Sequence, residues 1–122
     1  MKISRGDVFY CNLDPTFGHE QAGLRPLVVL QNDVANDKLN TVMVAPLTSN
    51  LKAKGYLLTV FVDAKTSELP KDSVILLFQV RTVDKRRLER KIAHLDETIM
   101  EQVDQALLIA FDLLSAHTAG KK

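Results

Sequence analysis

Residues 5–33 read RGDVFYCNLDPTFGHEQAGLRPLVVLQND. Two runs rich in Val, Leu and Phe, Asp7 to Leu13 and Pro26 to Gln31, flank a polar stretch, Asp14 to Arg25, that holds Gly18 and Gly23. Apolar runs of this length bounded by turn-forming residues predict strands. The polar stretch between them predicts a long loop, and long loops in small domains usually carry function or are disordered. Its glycines, an exposed-looking Phe17 and several polar side chains mark it as a binding loop. Outward from here the same pattern recurs at Thr41 to Leu47, Leu57 to Val62 and Ser73 to Val80. A further short strand, Arg90 to Leu95, follows a polar turn beginning near Asp84, and a second long connection is SNLKAKG, Ser49 to Gly55. These runs predict a small, strongly curved antiparallel sheet or barrel.

The chain then changes period. Asp96 is placed to cap a helix, Leu95 and Met100 occupy the two positions of a hydrophobic staple, and Ile99, Val103, Leu107, Ala110 and Leu114 recur at helical spacing. That face should pack against the sheet. One domain over residues 1–116 is expected, with residues 117–122 fraying. A length of 122 residues with 46% hydrophobic content suffices for one core.

Sixteen basic residues against 15 acidic ones leave a net charge of +1. No blanket attraction for nucleic acid results, so any such binding must come from a local patch. The single cysteine, Cys11, excludes an internal disulfide framework and fits a reducing cytoplasm, where it should lie buried in its strand. The N-terminus has no apolar core of a signal peptide, and no apolar run approaches the roughly 18 residues of a membrane span.

His19, His94 and His117 stand far apart without partners at ligand spacing, which predicts no metal site. A phosphate-binding glycine-rich loop and a nucleophile elbow are also missing. What remains is a set of polar residues at strand ends. Arg25 precedes Pro26, which biases it towards extended backbone at the mouth of the next strand; it fits an aimed cation or an ordinary surface ion pair. Thr48 follows Pro46, whose missing donor suggests an edge or bulge that could turn the hydroxyl towards the sheet rim; it fits equally a turn-capping hydroxyl. Alternation in SVILLFQVR predicts Gln79 and Arg81 on one face and Val74, Leu76, Phe78 and Val80 on the other. Arg81 to Lys91 carries six basic residues against Asp84 and Glu89, either a solvated turn or a phosphate track.

At these same residues the chain resembles the MazF/PemK (Kid) family, the ribonuclease halves of bacterial toxin–antitoxin pairs. The matching segments are RGDVFYCNLDPTFGHEQAGLRPLVVLQND, TVMVAPLTS, SELPKDSVILLFQVRTVDKRRL and KIAHLDE, in family order over most of the first 100 residues. The resemblance implies an SH3-like small barrel with a C-terminal helix, paired as a homodimer, without cofactor or membrane attachment. It implies metal-independent cleavage of single-stranded RNA to 2′,3′-cyclic phosphate and 5′-hydroxyl ends, restrained by an antitoxin. Arg25 and Thr48 become the expected catalytic pair. Thr16, Phe17, His19, Glu20, Gln21, Ser49, Phe78, Gln79, Arg81, Lys85 and Arg86 become the expected RNA contacts, with His19 or Glu20 as candidates for proton transfer. Two positions depart from the family pattern: Phe78 stands where Glu is usual, and His19 where Ser is. The alternative from another class is a CcdB-like toxin that binds DNA gyrase and cleaves nothing.

Overall fold

A computed structural model describes residues 1–113. Seven strands, β1 (Asp7–Asn12), β2 (Leu24–Val29), β3 (Thr41–Thr48), β4 (Thr59–Val62), β5 (Ser73–Leu76), β6 (Arg81–Asp84) and β7 (Leu88–His94), pair antiparallel in the order β4-β5-β3-β2-β1-β7. The strand β6 joins β3 from the side. The sheet is barrel-like without closing, as expected of the small barrel. Helices α1 (Asp33–Lys38), α2 (Ala64–Ser67) and α3 (Glu97–Ala110) complete the chain.

Strict alternation sends neighbouring residues into two different cores. Val8, Val28, Ala45 and Leu47 face one core, closed by Ile99, Met100, Val103 and Ala106 of α3. Their neighbours Phe9, Cys11, Leu27, Val29, Val42 and Val44 face the other, with Val83 and Leu88. Cys11 is fully buried, and burial pushes its thiol up from the ordinary value. The Asp96 carboxylate accepts from the Ile99 N–H at 3.0 Å, and the staple residues Leu95 and Met100 lie together in the first core. Among the described residues no helix is long and apolar enough to cross a membrane. The expected helix position Leu114 and the tail 117–122 fall outside the described residues.

Three expectations are corrected. The run Ser73 to Val80 is not one strand: after β5 a 3-10 turn, Leu77–Gln79, redirects the chain into β6. Phe78 is therefore exposed instead of sharing a buried face with Val74 and Leu76. Pro46 lies in a central strand and not at an edge or bulge, paired with Leu27 of β2. The Leu30 N–H donates to the Met43 carbonyl, so alternation turns the Pro46 nitrogen away from β2. It falls where β3 changes partner from β6, ending at Val44, to β5, beginning at Leu47, so its missing donor breaks no ladder. Finally, α1 and α2 interrupt stretches expected to be loop; each starts at a polar cap, Asn32 and Asp63, and is too short to show a period.

Candidate functional site at the sheet rim

The beginning of β2 lies beside the end of β3. Their register pairs Val28 with Ala45 and Leu27 with Pro46; carried two residues further, it sets Arg25 opposite Thr48. Both residues share the parity of Leu27, Val29 and Val44, so they extend the face of the second core to its open end. Arg25 also pairs with Cys11 of β1. Its Nε donates to the Ala22 carbonyl at 2.8 Å, and among the described residues it makes no ion pair. Thr48 is 8% exposed, and its Oγ1 accepts from the Asn50 N–H at 3.1 Å. The turn-capping role is real, yet it uses only the oxygen as acceptor and leaves the hydroxyl hydrogen free to donate.

The loop after β1 is tied down by side chains from β6 and its surroundings. Gln79 Oε1 accepts from the Gln21 N–H at 2.7 Å while its Nε2 donates to the His19 carbonyl at 3.2 Å. Arg81 donates to the Leu13 carbonyl at 3.2 Å, and Arg87 to the carbonyls of Asn12 and Asp14. At the loop's end, Gly23 takes φ of 77°, a region costly for residues with a Cβ, and its N–H donates to Asp14 Oδ1 at 3.0 Å. Glu20 is turned inward on its own turn, its carboxylate accepting from the Phe17 N–H and its N–H donating to the Phe17 carbonyl. Phe17 is 83% exposed, His19 is exposed, and Thr16 is half-buried. Among the described residues nothing hydrogen-bonds the His19 imidazole.

Two cavities flank the rim. One, about 190 Å³, is bounded by Glu20, Gln21, Pro46, Phe78, Gln79 and Arg81. The buried Oε1 of Gln21 has no hydrogen-bond donor there among the described residues. Phe78 meets Tyr56 edge-on, with ring centroids 6.0 Å apart at 71°, and both rings are exposed. The other cavity, about 270 Å³, is bounded by Arg25 and Ser49 together with Tyr10 and Lys71.

The basic stretch does not form one free track. Lys85 donates to the Asn36 carbonyl of α1, and Arg86 pairs with Asp84 at 3.0 Å. That pairing holds the Asp84 carboxyl down at about 2 and pushes the Arg86 guanidinium up. Lys91 pairs with buried Asp7, whose carboxylate also meets His94 Nδ1 at 2.7 Å. Only Arg81 and Arg87 of this stretch hold the loop after β1. The structure thus brings together Arg25, Thr48 and Ser49 at the rim, and Glu20, Gln21, Phe78, Gln79 and Arg81 beside it, while Lys85 and Arg86 are engaged elsewhere. Among the described residues no cluster of three His, Cys, Asp or Glu side chains is placed to hold a metal ion. The sequence pattern gave no sign of Tyr56, Tyr10, Lys71 or the anchoring by Arg87.

An open barrel-like sheet backed by one helix thus carries an arginine, a hydroxyl and a side-chain-anchored loop at its rim. The chain belongs to the PemK-like, MazF-like toxin family of type II toxin–antitoxin systems, whose family model matches residues 4–111. It is 45% identical over 114 residues to Endoribonuclease EndoA of Bacillus subtilis (strain 168), covering 93% of this chain and 98% of that protein. Among solved structures it is similar to MazF from Deinococcus radiodurans, with a TM-score of 0.78 and 29% identity over 92% of this chain and 98% of that one. The MazE–MazF structure from the same organism gives a TM-score of 0.73 and 26% identity, again over 92% and 98% of the two chains.

Proposed function

We propose that the chain acts as a sequence-specific, metal-independent endoribonuclease toxin of the cytoplasm, through one functional domain over residues 1–116. The observation that carries this reading is the β2–β3 register, which carried to the rim sets Arg25 opposite Thr48, beside a cavity in which Gln21 presents a buried acceptor without a donor among the described residues. An unmet buried acceptor costs free energy until a ligand or water supplies the donor. The exocyclic amine or ring N–H of a nucleobase is such a donor. The Phe78–Tyr56 ledge supplies a stacking surface, the usual way unpaired bases are held.

In this reaction the ribose 2′-oxygen bonds to the adjacent phosphorus and the bond from phosphorus to the 5′-oxygen breaks. The 2′-hydroxyl proton goes to a base, and the departing 5′-oxygen takes up a proton to end as a hydroxyl. Negative charge grows on the phosphate oxygens, where the Arg25 fork and the free Thr48 hydroxyl hydrogen stabilise it. An arginine is too weak an acid to give up its proton near neutrality, so Arg25 serves as an electrostatic clamp and not as the base. The Glu20 carboxylate is already engaged by the Phe17 N–H, whereas the His19 imidazole is free of protein hydrogen bonds among the described residues. His19 is therefore the proposed acceptor of the proton.

The first test is incubation of purified protein with a long single-stranded RNA in EDTA. Discrete fragments ending in 5′-hydroxyl and 2′,3′-cyclic phosphate are expected. Intact RNA would sink the enzyme reading and favour a CcdB-like toxin that acts by binding alone. A second test compares single-turnover cleavage by wild type and His19→Gln, with binding of a non-cleavable RNA measured beside it. Loss of most of the rate with binding retained is expected if His19 moves the proton. An unchanged rate would leave His19 as a loop contact only.

The working form is a homodimer neutralised by an antitoxin. Among the described residues the edges β4, β6 and β7 have no second strand partner, and Leu58, Val80 and Phe111 border a partly apolar surface near β4 and β6. Covering an exposed edge and apolar patch is what a second copy achieves. A flexible acidic and apolar antitoxin segment crossing the rim would compete with RNA for the same surface. Light scattering should give twice the chain mass, and a labelled antitoxin segment should be displaced by non-cleavable RNA. Monomeric active protein, or simultaneous binding of both ligands, would count against these two assignments.

A further inference from the structure

The rim is flanked on both sides, and of the expected RNA contacts only Ser49 borders the second of the two cavities. Pro46 borders the first, with Gln21 and Gln79, and Leu47 and Ser49 border the second. Alternation along β3 points Pro46 and Leu47 in opposite directions, so the cavities open on opposite faces of the strand end. Arg25 also borders the second cavity, which puts that cavity within reach of an RNA strand whose scissile phosphate rests at Arg25 and Thr48.

That cavity is equipped for a nucleotide. Tyr10 of β1 supplies an aromatic ring, braced by the Arg90 guanidinium 5.4 Å from its centroid. Ser49 supplies a hydroxyl, Leu69 and Pro70 an apolar wall, and Lys71 a second cation besides Arg25. Lys71 forms no ion pair among the described residues and is exposed. Its backbone is nonetheless fixed: the Ser73 hydroxyl donates to its carbonyl at 3.0 Å, and the neighbouring Asp72 carboxylate accepts from the Ala64 N–H of α2 at 2.8 Å. An uncommitted ammonium on an anchored turn, facing the same cavity as the rim arginine, suits a second phosphate.

We propose that the Tyr10–Lys71 cavity is a nucleotide subsite across the rim from Gln79, with Lys71 binding the phosphate next to the scissile one and Tyr10 supporting the base. The proposal rests on the endoribonuclease reading. The two residues bind ground state and transition state alike, so their loss raises KM and leaves kcat in place.

The test is cleavage of one defined RNA oligonucleotide by wild type, Lys71→Gln, Tyr10→Leu and Tyr10→Phe across a salt series. Binding of the same oligonucleotide with a deoxyribose at the cut position is measured in parallel. Lys65→Gln on α2 serves as the charge control. Lys71→Gln should raise KM about tenfold with kcat unchanged, the scale of one hydrogen bond to a charged group. The slope of log affinity against log salt should shrink by about 0.7, as for one phosphate contact to a single strand. Tyr10→Leu should weaken binding by about tenfold or more, and Tyr10→Phe, which keeps the ring, should restore it. Trimming the oligonucleotide from one end only should abolish the difference between wild type and Lys71→Gln. If wild type cleaves while Lys71→Gln matches it or matches Lys65→Gln, the subsite is wrong and the enzyme reading stands. If wild type neither cleaves nor binds, the enzyme reading falls and takes the subsite with it.

Discussion

Arg25→Ala should lower the rate of RNA cleavage about 10²- to 10³-fold, the usual cost of removing one preorganised transition-state donor. The fold should survive. Arg25 is half-exposed and, among the described residues, makes no ion pair and gives up a single side-chain hydrogen bond, to Ala22, worth about 0.5–1.5 kcal/mol. Arg25→Lys keeps the charge but not the fork that reaches Ala22 and a phosphate together, so it should rescue little. Thr48→Ala should lose activity on the same scale, while Thr48→Ser, which retains both the acceptor for Asn50 and the hydroxyl hydrogen, should keep most of it. The decisive measurement is single-turnover cleavage beside a urea melt for each variant. Near-normal kcat in a folded Arg25→Ala or Thr48→Ala protein would remove that residue from the catalytic pair.

The parts of this site that were legible in the sequence are those whose cause is local. Arg25 is held extended by the proline after it, and Thr48 closes an apolar run, so both could be placed at strand mouths before any fold was known. Asp96 marked its helix because cap, staple and period agree over adjacent residues. What escaped was set by partners distant in sequence. Ser73 to Leu76 is buried on both sides and shows no alternation, so nothing announced the 3-10 turn that follows or the exposure of Phe78. Pro46 suggests an edge because its missing donor is a local fact, whereas the change of partner along β3 is not. Arg87 serves the loop through backbone carbonyls of Asn12 and Asp14, and no side-chain pattern marks a carbonyl. The basic stretch looked continuous because charge can be counted along a chain, whereas Asp84, Asn36 and Asp7 claim its members only in three dimensions.

The rim also depends on what lies beneath it. The face that carries Arg25 and Thr48 is the outer end of the second core, and Phe9 is the largest side chain there, with no exposed surface. Phe9 pairs with Leu27 of β2 on one side and Lys91 of β7 on the other, and the β1–β7 register slips on both sides of it. Such irregularities bend a strand, and at this one the Phe9 ring is fully buried in the second core. Phe9→Ala should therefore cost about 3–5 kcal/mol, in the range for buried aromatic truncations that leave a void. Against a total stability of about 5–15 kcal/mol typical of a domain, that loss is large enough to populate the unfolded chain on mild heating. Activity should fall in proportion to the folded fraction, with the kcat of the remaining folded molecules close to wild type, the reverse of the signature expected for Arg25→Ala. Urea melts followed by circular dichroism, with cleavage measured at the same urea concentrations, separate the two. A midpoint for Phe9→Ala indistinguishable from wild type would show that the second core does not hold the rim.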